Sequence, residues 1–116
     1  MLSSQYRLKR SEDYIRLYRE GKTTTCAWMK MCYRRNGRMG TRIGFVVPNT
    51  VIKHATGRNR LRRQLRTVVQ KNFPFFPVGY DVVFVVKRYS LSLPFSAIEK
   101  DFLSLVQHLG PLKKKY

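Results

Sequence analysis

Ala55-Thr56-Gly57-Arg58-Asn59-Arg60-Leu61-Arg62-Arg63-Gln64-Leu65-Arg66 is the stretch on which the fold turns. Continued to Phe73, it places Leu61, Leu65, Val68, Val69 and then Asn72 or Phe73 at helical spacing, which predicts a helix over about 55–73. The other faces carry Arg58, Arg60, Arg62, Arg63 and Arg66, five guanidinium groups over roughly two and a half turns. No carboxylate stands on this helix to pair them, so solvation alone would leave their mutual repulsion unrelieved.

Upstream, Pro48-Asn49 closes a strand reading Thr41-Arg42-Ile43-Gly44-Phe45-Val46-Val47. Residues 23–35, rich in Thr, Trp, Met, Cys and Tyr, also read as strand, and Asn36-Gly37-Arg38-Met39-Gly40 is turn chemistry between the two. The expectation is an antiparallel hairpin of 23–35 with 41–47. Downstream, Pro74, Pro77 and Gly79 break the helix, and Tyr80–Lys87 is a continuous apolar run of the kind a doubly covered central strand shows.

Two further helices flank this unit. The first is expected at about 11–20, introduced by Ser11 with Glu12 and Asp13 complementing its dipole, and closed by Gly21. Tyr14, Ile15, Leu17 and Tyr18 form its apolar stripe, and Tyr14 and Tyr18 are an i,i+4 pair that suits either a core or a binding surface. The last is signalled by Ser96 with Glu99 as a capping box and by Ile98, Phe102, Leu105, Val106 and Leu109 before Gly110-Pro111. The order α, β, β, α, β, α, without repeats or a low-complexity linker, describes one α+β domain over 1–116, with a core from about 6 to 110 and a fraying tail at 111–116.

The charge names the class of partner. Lys and Arg number 24 against 6 Asp and Glu, a net charge of +18. The 60 residues from Gly21 to Tyr80 contain no acid but 13 bases. Such asymmetry implies a polyanion. Bases spread through a whole domain, rather than along one amphipathic helix, favour nucleic acid over a membrane surface. No apolar stretch approaches a membrane span, and the N-terminus carries no apolar secretion signal, so a cytoplasmic chain is expected. Cys26 and Cys32, six apart, match no metal or redox pattern and read as reduced structural thiols on one strand face. With no acid in the basic stretch and with His54 and His108 isolated, catalysis by the chain itself is not expected.

Three separated stretches resemble one family, the protein component of bacterial ribonuclease P. They are Arg7-Leu8-Lys9-Arg10-Ser11-Glu12-Asp13-Tyr14 with Leu17-Tyr18 and Gly21, then Arg42-Ile43-Gly44-Phe45-Val46-Val47, then the Arg58-Asn59-Arg60 helix with Leu61, Arg62 and Arg63. The resemblance covers about residues 6–109. It departs at Pro48-Asn49-Thr50-Val51, where a Lys pair is usual, at Lys53-His54, where Gly-Asn is frequent, and at Thr67, where Glu is common.

The resemblance implies a small mixed sheet of about four strands packed by three helices, similar to ribosomal protein S5 domain 2. Its Arg-Asn-Arg helix would lie in a left-handed βαβ crossover, against the usual hand. It implies that Arg58, Asn59, Arg60, Arg62, Arg63 and Arg66 dock the catalytic RNA, although Asn59 could instead satisfy local backbone. It also implies a cleft between the first helix and the sheet, built from Arg10, Tyr14 and Tyr18, which takes the single-stranded 5′ leader of precursor tRNA. A strand aromatic is expected to face this cleft; the register lies between Cys32 and Tyr33, and Tyr33 is the residue named, while Trp28 reads equally as core. By the same resemblance the RNA performs the hydrolysis with Mg²⁺, held mainly by RNA, and no obligate protein partner is implied. The competing reading is a structural ribosomal protein that binds rRNA.

Overall fold

The computed structural model describes residues 7–26, 28–73, 76–87 and 94–109. Its elements run α1 (Ser11–Glu20), β1 (Lys22–Thr25), β2 (Met29–Arg35), β3 (Arg42–Val46), α2 (Ala55–Asn72), β4 (Tyr80–Val86) and α3 (Phe95–Val106), ending in a 3₁₀ turn at Gln107–Leu109. The strands form one sheet in the order β1-β2-β4-β3. As its apolar run requires, β4 is interior, antiparallel to β2 and parallel to β3. The connection β3-α2-β4 is therefore a parallel crossover that carries the arginine-rich helix.

The hairpin expected between 23–35 and 41–47 does not form. Residues 23–35 turn back after Thr25, so that β1 and β2 pair with each other from Lys22↔Tyr33 to Thr25↔Lys30. The physical reason is the claim of β4 on two neighbours: Val82, Val83 and Phe84 are fully buried and need both faces and both edges covered. The turn chemistry at 36–40 was correctly located, but it serves as a loop that steps over the end of β4. Asn36 Nδ2 donates to the Gly40 carbonyl and to Asp81 Oδ1, and Gly37 takes a positive φ of 69°.

Strand alternation separates two cores. On one face Met29, Met31, Ile43, Val82, Phe84 and Val86 pack with Leu61, Leu65, Val68 and Val69 of α2 and Ile98, Phe102, Leu105 and Val106 of α3. On the other, Cys32 and Val83 pack with Leu17 of α1 and Leu8. Cys26 packs against the first cluster and Cys32 sits in the second, so the two free thiols occupy opposite faces rather than one. Trp28 is core, its indole N–H donating to Asp101 Oδ2 at 2.8 Å.

Both serine caps fail. Arg10 is the N-cap of α1 without a side-chain bond, and Ser11 is already helical. Pro94 is the N-cap of α3, so Ser96 lies within the first turn, and Glu99 is drawn off to Lys71 Nζ at 3.3 Å and Asn72 Nδ2 at 3.5 Å. A tertiary tie between α2 and α3 thus replaces the local box. Arg42 fastens α1 to the sheet, donating to the buried Asp81 at 2.8 and 2.7 Å and to Asp13 at 3.4 Å. The expected 111–116 tail and the Gly110-Pro111 stop lie outside the described residues.

Candidate nucleic-acid interface

The candidate site begins at Gly44. A Cβ at this position would run into the Tyr14 hydroxyl, so only glycine lets the ring of Tyr14 lie down on β3. Tyr14 then donates its hydroxyl to the Leu8 carbonyl at 3.2 Å. The Leu8 amide in turn donates to the Ile43 carbonyl at 3.0 Å, and Arg7 bridges to Ile43, which holds Arg7 and Leu8 along the outer edge of β3. The first and second stretches of the sequence pattern are thus a single construction.

Into the same space come two arginines from α2. Arg62 and Arg66, with Tyr14, Gly44, Phe45, Arg7, Leu8 and Lys9, line a cavity of about 270 Å³ at this edge. The α1 cleft and the arginine face of α2, anticipated as two separate surfaces, meet here. Arg7, Lys9 and Gly44 belong to the cavity although the sequence reading gave them no site role; the signal available was their place in the matched stretches. Arg10 adjoins as the N-cap of α1, its side chain exposed.

Tyr18 stands one turn beyond Tyr14, ring centroids 6.5 Å apart at 47°, and is 49% exposed, which leaves a ring face for a ligand. Burial pushes the Tyr14 phenol above its ordinary value, the neighbouring Tyr18 adds to this, and Arg62 opposes it. Burial, then Cys32, raises Tyr18. Both are therefore neutral hydroxyl donors at physiological pH. The strand residue under Tyr18 is Cys32; Tyr33 points to the opposite face, where it packs against Tyr80, so Tyr33 is not brought together with Tyr14 and Tyr18. Period-2 alternation separates the two positions, and sequence alone left that register open.

Along α2 the basic residues divide. Arg58 Nη1 donates to the carbonyls of Ile52 and Lys53, both at 2.9 Å, clasping the loop that precedes the helix. Asn59 is exposed and accepts from Arg62 at 3.5 Å rather than serving local backbone. Arg60 and Arg63 are exposed, and neither they nor Arg66 has a carboxylate partner among the described residues. Thr67 donates to the Arg63 carbonyl at 2.9 Å and adds no negative charge to this face.

Five of the six acids are engaged elsewhere: Asp13 and Asp81 on Arg42, Glu20 on Arg34, Glu99 on Lys71 and Asp101 on Trp28. Among the described residues no group of three or more His, Cys, Asp or Glu is placed to hold a metal ion. What the arrangement offers is aromatic faces beside unpaired guanidinium groups, the elements of single-strand and phosphate recognition.

The comparisons with known proteins agree with this chemistry. The family profile for Ribonuclease P matches residues 2–110. The ribonuclease P protein component of Chloroflexus aurantiacus is 35% identical over 103 residues, covering 88% of this chain and 76% of the relative. That of Thermotoga maritima is 33% identical over 109 residues, covering 94% and 90%. The solved Thermotoga maritima RNase P protein superposes with a TM-score of 0.80 at 28% identity, over 88% of this chain and 96% of that one. The Staphylococcus aureus protein has the same fold, with a TM-score of 0.83 at 16% identity, covering 93% and 98%.

Proposed function

This chain belongs to the ribonuclease P protein family, and from that premise we propose that it holds two RNAs at once. It is the protein component of an endoribonuclease ribonucleoprotein, and its partner in that particle is RNA. The two RNAs of the proposal are the catalytic RNA, along the exposed face of α2, and the 5′ leader of precursor tRNA, in the cleft over β3. The observation that carries the reading is the single cavity in which Tyr14 of α1 meets Arg62 and Arg66 of α2.

Each residue then has a task. Arg60 and Arg63 are the exposed cations that would neutralise phosphates of the catalytic RNA, with the exposed Asn59 beside them able to read a base edge or a ribose. Arg62 and Arg66 stand where that RNA and the leader would adjoin, and Arg58 secures the loop before the helix. Tyr18 and the rim of Tyr14 would stack leader bases, while Arg7, Lys9 and Arg10 follow the phosphates. Tyr33 stands outside this cleft.

The hydrolysis is assigned to the catalytic RNA with Mg²⁺, held mainly by RNA; the protein positions substrate and lowers local phosphate repulsion. No helix among the described residues is long and apolar enough to cross a membrane, and a cytoplasmic site of action follows from the proposed substrate. The ribosomal alternative draws no support, since the relatives are ribonuclease P components.

The test is reconstitution of the chain with a bacterial ribonuclease P RNA at low Mg²⁺, scoring 5′ cleavage of precursor tRNA. The mixture should cut far faster than either component alone. Cleavage by the protein alone, or no gain with any such RNA, would refute the reading.

A further inference from the structure

A second aromatic and basic pocket lies away from the leader cleft. Tyr33 and Tyr80 sit on the face opposite α1 with ring centroids 6.4 Å apart at 60°, and the Arg35 guanidinium carbon lies 5.1 Å from the Tyr80 centroid. The register pairs Lys22 with Tyr33 and Arg35 with Tyr80, so all four side chains share that face. With Arg34 and Glu20 they enclose about 270 Å³. Both tyrosines pack partly against the core yet keep exposed surface. Glu20 pairs with Arg34 at 3.5 Å, whereas Lys22 and Arg35 are exposed without a carboxylate partner among the described residues.

We propose that this pocket takes an unpaired nucleotide of the catalytic RNA, its base against Tyr33 and Tyr80 and its phosphate on Lys22 and Arg35. It would be a second docking point beside α2, and it rests on the reading that the chain docks on that RNA. The volume, near the lower end of the roughly 300 to 1,000 Å³ of small-ligand pockets, suits one base rather than a folded partner. Ring faces are sequence-tolerant stacking platforms, and the Arg35 guanidinium on Tyr80 extends the planar surface. An acidic peptide would use the cations but leave the rings idle. The leader is placed elsewhere: its cleft lies at the β3 edge, whereas this pocket lies across the sheet where the ends of β1, β2 and β4 meet, with Tyr33 and Tyr80 on the far face and Glu20 and Arg34 closing it from the α1 side.

The test titrates the full chain against a bacterial ribonuclease P RNA over a salt series, without precursor tRNA. Tyr33→Leu with Tyr80→Leu keeps apolar contact with the core and removes the ring faces; it should weaken binding about tenfold or more. Lys22→Ala with Arg35→Ala, both exposed, should weaken binding and flatten the log–log salt slope by about one and a half. Circular dichroism checks folding, and if the tyrosine pair fails to fold the Lys22/Arg35 pair decides. Arg60→Ala with Arg63→Ala serves as the reference. If the reference loses affinity and the folded pocket variants do not, the pocket inference is overturned and α2 docking stands. If none loses affinity, the docking reading falls too. A loss seen only with precursor tRNA, growing with leader length, would make the leader the occupant and overturn the proposal.

Discussion

Gly44 is the residue on which the cleft depends, because the Tyr14 ring occupies the place of its missing side chain. Gly44→Ala should lift α1 from the sheet, lower the melting temperature and reduce discrimination between precursor and mature tRNA; unchanged melting would show that Tyr14 does not need that approach. Asp81 has the opposite character, a buried charge with full satisfaction. Burial alone would raise its pKa, but hydrogen bonds from Arg42 and Asn36 and the charges of Arg42 and Arg34 hold it below the ordinary carboxylate value. Its folded pKa thus lies under the unfolded one near 3.9, so its stabilisation is complete above that value and is lost as pH falls through the folded pKa. Asp81→Asn should cost about 3 kcal/mol at neutral pH, the low end for a broken buried pair because Asp13 still contacts Arg42. It should also blunt the acid limb of unfolding, which chemical denaturation at pH 3 and pH 7 would reveal.

At the scale of elements, α2 performs separable tasks along its length. Arg60→Ala with Arg63→Ala should weaken catalytic-RNA binding and reduce the salt slope while leaving melting within about 0.5 kcal/mol, as expected of exposed side chains. Arg58→Ala should show the reverse emphasis, since its guanidinium holds the Ile52 and Lys53 carbonyls. Equal effects from the two variants would remove the distinction. For α1, Tyr14→Ala with Tyr18→Ala should weaken precursor tRNA binding to the holoenzyme by about tenfold or more and leave leaderless tRNA unaffected. Equal losses for both substrates would mark a damaged core instead. Helix positions, starts included, were legible from apolar periodicity to within a residue or two, whereas the capping residues were not. Ser11 and Ser96 have the right chemistry for caps, but the chain enters each helix one residue or more earlier, and Glu99 finds a better partner across the α2–α3 contact.

At the scale of the molecule, a net charge of +18 is carried on a body whose radius of gyration is 13.6 Å. Much of it lies within reach of the roughly 10 Å Debye length at 0.1 M salt, so the fold works against its own repulsion. Millimolar pyrophosphate should therefore raise the melting temperature more than sodium chloride of equal ionic strength, by mass action of an anion that binds the folded face; an equal rise from both salts would indicate screening without a site. The polyanionic partner, the α+β class, the three helices and the arginines of α2 were all determined by the sequence, because charge asymmetry and apolar periodicity are local and additive. Which strand lies beside which was decided only in three dimensions: β4 displaced the expected hairpin because its two faces and two edges all required cover. That choice set the faces of Cys32 and Tyr33 and brought Arg62 and Arg66 over Tyr14. Long-range pairing and register depend on what the rest of the chain leaves uncovered, and no local pattern records that.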